Sequence, residues 1–429
     1  MEQLLKLAKA SADQADIYWE EVSYDHIEFT DAKLEKADSS LSYALALRVI
    51  KDGKCGLAHT RNLLDAKELV KQALTSAKDG QAVGFQLPAS WQAPDSDCLD
   101  TRIETIDKAL LIAQGKELLA YLKARSDAQV NLSFNYGSSR IGLQNSYDLD
   151  LAWKGSTYSV WTQMVFPGSG AGLMELAIGR GPVELDKMQL DRMLELFGIS
   201  STQVVPPTCK MPVIFTPLTV GALFSRFYSA ISAVNIHNGI SPLCNRVGER
   251  IFSDKLTIRQ QPRDPELASS TAFDNEGTPT QELYLLKNGV FMAIPTDLNY
   301  AHKLGLEPTG NGFRPEVEYM PGPRPFNTSL QTGDMSLDAM IASIDKGLIV
   351  HSLMGAHSGN ILNGDYSVGV SSGFLIENGK IVARVKDCML SGNVYETLNN
   401  VIAIGSEATA LGSSKLPALL CDGVSVAGK

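Results

Sequence analysis

A short apolar strand that runs directly into an apolar helical repeat is the most prominent pattern in the chain. The strand is predicted for residues 212–215, and the helical repeat that follows is Val220, Phe224, Phe227, Ile231 and Val234. Steps of four and three place these side chains on one face of a helix. Because residues 211–236 contain no acidic side chain and a single basic one, the pattern predicts a helix buried inside a domain.

Strand-like alternation dominates the rest of the chain. In the first part it predicts strands at residues 17–22, 27–30 and 42–50. Asp52-Gly53, Asn288-Gly289 and Asn378-Gly379 each separate two strand-like runs, and such dipeptides are strong signals for antiparallel hairpins. Helical patterns fall at residues 64–78, 103–125, 185–197 and 394–399. Since no βαβ rhythm appears, the predicted fold class is α+β with largely antiparallel sheets.

One segment is suited to a domain boundary. Residues 199–207 are short of periodicity and contain Pro206 and Pro207. The sequence therefore predicts an N-terminal α+β domain over residues 1–205 and a strand-rich C-terminal domain over residues 206–429, which carries the buried helix.

Charge and composition restrict the classes of function. The chain has 48 acidic and 38 basic residues, a formal net charge of −10, and no dense Lys/Arg run, which argues against direct nucleic-acid binding. Neither a signal peptide nor an apolar run of about 20 residues is recognised, so we expect a soluble, cytoplasmic protein without a membrane partner. Six scattered cysteines without a CxxC pair are typical of reduced, mostly buried thiols.

The buried helix offers few groups for chemistry. Its polar side chains are those of Ser225, Arg226, Tyr228, Ser229 and Ser232, which are a poor set of metal ligands. A lone guanidinium in an apolar helix requires a carboxylate or a set of carbonyls as its partner. We therefore expect a structural role for Arg226.

Two histidines and a carboxylate form another candidate metal site. His351 and His357 flank Gly355, and Asp365 follows eight residues after the second histidine. Six residues across a glycine turn is not a recognised ligand spacing, so structural or surface histidines are the favoured interpretation.

Two cysteines are candidate nucleophiles. Cys55 and His59 lie four apart on a predicted strand and so point to one face, and Cys388 precedes the segment Ser391-Gly392-Asn393. Nothing in the sequence near Cys55 would orient the imidazole, and a buried thiol is the commoner role for a cysteine on a core strand.

Two glycine-rich segments, residues 308–312 and 363–367, could bring backbone close to backbone. Neither matches a P-loop or a dinucleotide fingerprint. They predict either tight turns, the favoured interpretation, or the wall of a groove that receives an extended peptide by strand addition. The groove residues would be Asn311, Gly312, Asp365 and Tyr366.

Several short motifs, in their order and spacing, resemble the PmbA/TldD family, also called modulators of DNA gyrase, and specifically its TldE (PmbA) branch. The resemblance covers essentially the whole chain. The motifs lie at residues 49–56, 212–215, 272–278, 308–312, 364–367, 376–379, 391–393 and 426–429.

The resemblance implies that this chain lacks the family's metal site. In the TldD branch, the strand that matches residues 212–215 is followed by an HExxxH motif whose histidines hold zinc and whose glutamate serves the hydrolytic water. The corresponding positions here are Ser225, Arg226 and Ala230. The family's late cysteine ligand should fall within residues 410–414, where no cysteine stands, and Cys421 does not match it.

The resemblance also implies a role for the chain. A TldD-type subunit carrying zinc associates with a TldE-type subunit to cleave unfolded peptides, including microcin precursors and antitoxins, so no cofactor is expected in this chain and zinc only in its partner. One alternative is a homodimer that binds peptides or another ligand without proteolysis. Another is a hydrolase with an unrecognised site such as Cys388 with His351.

Overall fold

A six-stranded antiparallel sheet forms the first part of the molecule. The computed structural model describes residues 1–94, 98–356 and 359–428. The sheet has the order β3-β2-β1-β4-β5-β6. Its strands are β1 Gln14–Thr30, β2 Lys33–Lys51, β3 Lys54–Thr60, β4 Gln129–Asn145, β5 Asp150–Val165 and β6 Gly172–Gly179.

The strands of this sheet are longer than the hydrophobic pattern predicts. The two strands predicted at residues 17–22 and 27–30 are one continuous strand, β1, which pairs with β2 on one side and with β4 on the other. Because β1 is paired on both sides, the polar residues 23–26 also adopt the strand conformation. The predicted hairpin at Asp52-Gly53 is confirmed: φ is +50° and +71° at the two turn residues, and Lys51 pairs with Lys54.

Four helices accompany this sheet: α1 Glu2–Lys9, α2 Ala66–Lys78, α3 Lys108–Lys123 and α4 Lys187–Ile199. The helices α1 and α2 pack with Ile17, Leu45 and Leu47 in one core cluster. The helix predicted over residues 103–125 is divided. A 3₁₀ turn covers Thr101–Thr105, and α3 begins only after Asp107, whose side chain caps the Ala109 amide.

The second part of the molecule is built around a twelve-stranded sheet. Its strands are β7 Gln203–Val204, β8 Cys209–Phe215, β9 Ile258–Gln260, β10 Leu283–Lys287, β11 Val290–Phe291, β14 Thr328–Leu330, β15 Lys346–Met354, β16 Asp365–Glu377, β17 Lys380–Val385, β18 Cys388–Asn393, β19 Val401–Ala410 and β20 Ser414–Gly428. A separate pair is formed by β12 Gly312–Phe313 and β13 Gly322–Pro323. The helices are α5 Pro217–Ala230, α6 Ala233–His237, α7 Leu298–Leu304, α8 Leu337–Ala342 and α9 Val394–Thr397.

Five strands of this sheet close into a ring. The strands β8, β15 and β16 pair in that order, β18 bonds to both β16 and β20, and β20 bonds back to β8. Each of these strands contributes side chains to the largest core cluster, among them Val213, Val350, Val368, Leu390 and Val426. The hairpins predicted at Asn288-Gly289 and Asn378-Gly379 are also confirmed.

The predicted buried helix is α5, and it ends earlier than expected. Phe224 and Phe227 are fully buried in the same cluster as the ring strands. The prediction of one helix through Val234 is wrong, because Ser232 adopts φ −56° and ψ 124° and starts the separate helix α6. The direct passage from β8 into α5 is as predicted, with Pro217 at the first helical position.

The two sheets share a core cluster. Ile27 and Phe29 of the first sheet lie in one cluster with Ile214, Ile349 and Phe374 of the second. The first sheet ends at Gly179, and the second already includes β7 at Gln203–Val204. The boundary at residue 205 stays a prediction, whereas the α+β fold class with largely antiparallel sheets is confirmed.

Among the described residues, no helix is long and apolar enough to span a bilayer.

Candidate functional site

The side chain of Arg226 joins α5 to the segments that flank β15 and β16. Its Nε donates to the Asp365 carbonyl at 2.8 Å, and its two terminal nitrogens donate to the carbonyls of Ala222 at 2.8 Å and Ala356 at 3.0 Å. The guanidinium also lies over the Tyr366 ring, 5.8 Å from its centre. The side chain is 1% exposed. Of the two kinds of partner expected for this guanidinium, a carboxylate or a set of carbonyls, the structure shows carbonyls.

Ser225 and Ala230, the two other positions matched to the HExxxH motif, lie in different environments. Ser225 is exposed, and its hydroxyl donates to the Ala222 carbonyl at 2.8 Å. Ala230 is fully buried in the core. Cys421 is fully buried on β20, and burial raises the pKa of its thiol to about 12.

Metal-ligating side chains are dispersed across the part of the chain that the structure describes. Within residues 1–94, 98–356 and 359–428, no three His, Cys, Asp or Glu side chains converge in a way that could hold a metal ion. His351 lies edge-on to Phe374 with ring centres 5.8 Å apart, and burial lowers the pKa of its imidazole to about 4. His357, its predicted companion, lies outside the described residues.

The candidate nucleophiles are buried thiols. Burial raises the pKa of Cys55 and that of Cys388 to about 11, so both are protonated at neutral pH. Cys55 contacts the Met320 sulfur at 3.9 Å, while His59 on the same strand is exposed. These environments suit core packing better than nucleophilic catalysis.

Three of the four residues of the predicted groove are buried, and the fourth is exposed. The Asn311 side chain is fully buried and bonded to Gln260 and to the Arg324 carbonyl, and the Gly312 amide donates to Asp274. Tyr366 is buried and bonded to Thr397.

Only the fourth member of the predicted groove, Asp365, is open to solvent at the start of β16, where its carboxylate accepts from Asn393 at 2.9 Å. The groove stays a prediction, and Asp365 is the one exposed residue among its four members.

A buried ionic cluster between the first sheet and the loops of the second part has no counterpart in the sequence-based predictions. Arg48 on β2 makes a two-pronged contact with Asp16 on β1, at 2.6 to 3.1 Å, and donates to Glu276 at 2.6 Å. All three side chains are at most 3% exposed. The sequence carries one signal for this cluster, a lone arginine within the apolar run of residues 45–50.

Two further buried carboxyl groups, those of Asp274 and Asp297, lie near Glu276. Asp274 accepts the amides of Glu276, Thr278 and Gly312, and burial raises its pKa well above the ordinary value. Asp297 caps α7 by accepting the Tyr300 amide. Burial, and then the charge of Glu276, raise the pKa of Asp297 to about 7. Through these bonds the cluster connects β1 and β2 with the loop at residues 274–278, the start of α7 and the amide of Gly312.

Comparison with known proteins places this architecture in a family. The model of the PmbA/TldA metallopeptidase C-terminal domain matches residues 208–428, and that of the PmbA/TldA metallopeptidase domain 1 matches residues 15–77. The chain is 28% identical to a metalloprotease of Methanothermobacter thermautotrophicus over 392 residues, which covers 88% of this chain and 84% of that protein. It is 24% identical to metalloprotease PmbA of Escherichia coli O157:H7, covering 99% and 94% of the two chains.

Solved structures have the same fold over the whole chain. TldE from Thermococcus kodakarensis superposes with a TM-score of 0.92 at 24% identity and full coverage of both chains. A Thermotoga maritima protein described as a modulator of a DNA gyrase superposes with a TM-score of 0.86 at 24% identity and 99% coverage of each chain. With a family model matched over more than half of its length, this chain belongs to the PmbA/TldD metallopeptidase family.

Proposed function

We propose that this chain is the non-zinc, TldE/PmbA-like subunit of a TldD/TldE-type peptidase system that processes unfolded peptides in the cytoplasm. The observation that carries the proposal is the environment of Arg226 on α5. At the position that corresponds to the catalytic glutamate of an HExxxH motif, a buried cation donates to three backbone carbonyls.

The donor set at the motif positions does not fit zinc. Zinc in proteins is bound by thiolate, imidazole and carboxylate groups. Ser225, Arg226 and Ala230 provide a hydroxyl, a guanidinium and a methyl group, and a guanidinium at this place would repel a divalent cation. Cys421 is fully buried in the core cluster of the ring strands, and within the described residues no three His, Cys, Asp or Glu side chains converge around it, so it adds no ligand to the motif positions. We therefore assign no catalytic step to this chain through a metal.

Arg226 instead has a structural role. Through its guanidinium, Arg226 ties the helix α5 to the start of β16 at Asp365 and to the end of β15 at Ala356. A cation that is fixed by protein carbonyls holds these segments without an exchangeable ligand. In the proposed complex, this chain supplies a rigid wall beside the partner's reaction centre, and the exposed Asp365 carboxylate lies on that wall.

Reconstitution with a TldD-type chain tests the proposal. The purified chain alone is expected to contain no stoichiometric zinc by elemental analysis and to leave an unfolded peptide intact. When mixed with a TldD-type chain, it is expected to co-elute with that chain and to increase peptide cleavage. The matched control is a TldD-type chain whose HExxxH glutamate is replaced by glutamine, which should bind this chain without cleaving the peptide.

Two results would contradict the proposal. Stoichiometric zinc together with cleavage by the chain alone would make it an enzyme in its own right. Peptide binding by a self-associated chain that ignores the TldD-type protein would instead support the non-proteolytic homodimer. A cysteine hydrolase based on Cys388 and His351 is disfavoured, because burial keeps the thiol protonated and the imidazole neutral.

A further inference from the structure

A groove runs between α1 and α2 on the surface of the molecule. Its volume is about 370 Å³, which lies within the range of sites that hold a ligand or a set of anchoring side chains. The groove is lined by Leu7, Ser11, Lys67, Val70, Lys71, Leu74, Thr75 and Lys78. Five of these residues are exposed, so the α1–α2 groove is open to solvent.

The residues of α2 that line the groove form one stripe of the helix. Six of them follow one another in alternating steps of three and one between Lys67 and Lys78, which places them all on the same helical face. At 1.5 Å per residue the stripe is about 17 Å long, or about three helical turns.

The floor of the groove is apolar. Val70 is 6% exposed and belongs to the core cluster that α1 and α2 share with the first sheet. Leu7 and Leu74 pack against that cluster and stay partly exposed. A partner that fills the groove would therefore cover apolar surface that the fold itself leaves open to water.

The charged side chains that line the groove, those of Lys67, Lys71 and Lys78, are all basic, although the whole chain has a net charge of −10. Lys71 forms an exposed ion pair with Glu68 at 3.3 Å, and pairs of this kind contribute little. Lys67 and Lys78 form no ion pair with any residue that the structure describes. The groove is a locally positive site on an acidic molecule and attracts an anionic partner.

The shape of the groove selects among anionic partners. A helix that lies between two others inserts apolar side chains, spaced by three and four residues, into such a groove. An extended peptide would instead need an open strand edge to pair with its backbone, which two helices do not provide. Three lysines on an acidic chain are few for the phosphates of a nucleic acid.

We propose that the α1–α2 groove binds an acidic amphipathic helix of about three turns that belongs to a different protein. The apolar side chains of this helix contact Leu7, Val70 and Leu74. Its carboxylates, on both flanks of the apolar stripe, pair with the lysines of α2. This docking surface goes beyond the peptidase role and does not depend on it.

A synthetic helix is the probe that tests the proposal on the full chain. It is a dye-labelled peptide of about 14 residues with leucine along one helical face, glutamate on both flanks of that face and alanine elsewhere. By fluorescence anisotropy at low salt, the wild-type protein is expected to bind it with a dissociation constant on the order of 10 μM.

Charge reversal in the groove should weaken this binding. We expect K67E and K78E each to raise the dissociation constant about threefold, and the double variant K67E/K78E to raise it about tenfold. The matched control is K33E/K210E, which makes the same change in net charge at two exposed positions outside the groove and should stay within about twofold of wild type.

The apolar contacts are tested without altering the protein. A second peptide with alanine in place of every leucine keeps its charges, and it should bind about tenfold more weakly because the floor of the groove is no longer covered. Photo-cross-linking with a benzophenone-labelled peptide, followed by mass spectrometry, should map the contact to α1 and α2.

Three results would overturn the proposal. One is a wild-type chain that does not bind the acidic peptide. Another is binding that falls equally in K67E/K78E and K33E/K210E, or equally well with the alanine peptide, since net charge alone would then explain it. The last is binding of phosphatidylglycerol vesicles through the same lysines without binding of the peptide, which would make the groove a membrane contact. None of these measurements involves proteolysis, so a failed peptidase test leaves the proposal unaffected.

Discussion

At the scale of single residues, the buried guanidinium of Arg226 is the side chain on which the structure around the motif positions depends most. Replacing it by methionine removes a charged donor from the carbonyls of Asp365 and Ala356 and places an apolar side chain beside these partly buried acceptors. We expect R226M to lower the free energy of unfolding by about 2 to 4 kcal/mol, measured by urea denaturation.

The adjacent serine provides the control for this prediction. Ser225 is exposed and bonds only locally within α5, so S225A should change the free energy of unfolding by less than about 0.5 kcal/mol. R226K should lie between the two, because one ammonium group does not reach three carbonyls in the directions that a planar guanidinium does. Equal stability of R226M and wild type would show that the carbonyl contacts contribute little.

The raised pKa of Asp297 predicts a pH dependence of stability. A carboxyl group with a folded-state pKa of about 7, against an ordinary value of 3.8, binds its proton more tightly when folded. Its contribution is therefore fully present below about pH 4 and is lost as pH rises to about 7. D297N keeps an oxygen that caps α7 and carries no charge, so it should be more stable than wild type by about 1 to 3 kcal/mol at pH 8.

The comparison of D297N with wild type at two pH values isolates this group from other carboxyls. At pH 4 the two proteins should differ little, and the difference should grow up to about pH 7 and then stay constant, as measured by denaturant unfolding at each pH. A constant difference from pH 4 to pH 8 would mean that Asp297 ionises at its ordinary pKa.

Residue chemistry was predictable from sequence where the interaction is a general requirement. A lone arginine in an apolar helix must find acceptors, and Arg226 does. The partners of Arg48 were not predictable, because Glu276 lies 228 residues away and reaches it only when the loops of the second part pack on the first sheet. The buried state of Cys388 agrees with the general behaviour of thiols on core strands.

At the scale of elements, the tight hairpins were the most predictable features. Asp-Gly and Asn-Gly turns adopt positive φ at both residues, which glycine permits at low cost. The limits of α5 and α3 were not predictable from periodicity. The backbone leaves the helical conformation at Ser232 although the apolar repeat continues, and the Asp107 side chain caps a new helix within the predicted one. The length of β1 was missed because strand pairing on both sides, and not hydrophobic alternation, maintains it.

Two hairpin glycines give a matched pair of substitutions. Gly53 and Gly289 have nearly the same φ, +71° and +77°, so alanine is strained at both. A Cβ at Gly53 would lie 4.0 Å from its nearest neighbour, but at Gly289 it would lie 2.1 Å from the Phe252 carbonyl oxygen. We expect G53A to cost about 1 kcal/mol and G289A at least about twice as much, measured by chemical denaturation.

The difference between these two variants, and not either value alone, tests the close approach at Gly289. If G289A were no more destabilising than G53A, the loop at Phe252 would be free to move away from the hairpin.

At the scale of the whole molecule, the shared core predicts how the two parts unfold. Phe29 of the first sheet and Phe374 of the second lie in one apolar cluster, and Arg48 links β2 to Glu276. All four tryptophans, Trp19, Trp91, Trp153 and Trp161, precede the second sheet. The indole N–H groups of Trp91 and Trp153 donate to the carbonyls of Gly277 and Ser270. Tryptophan fluorescence therefore reports on the first part and on its contacts with loops of the second, whereas far-UV circular dichroism reports on the backbone of both.

We expect the two signals to follow one cooperative transition in urea, because neither sheet keeps its apolar face covered without the other. Two separated midpoints would show that the shared cluster contributes little to stability. The sequence predicts an N-terminal α+β domain and a strand-rich C-terminal domain but not this joint core, since a hydrophobic pattern identifies a buried face without identifying what covers it.

The closed ring of five strands has a consequence for synthesis of the protein. The strand that completes it, β20, follows the other four ring strands in sequence and bonds to both β18 and β8. Until residue 428 has left the ribosome, β8 and β18 each lack a neighbour, and Phe224 and Phe227 of α5 lack part of their cover. The second part of the molecule therefore cannot complete its folding before β20 has emerged, and a nascent chain stalled before residue 414 would present these apolar strands to chaperones.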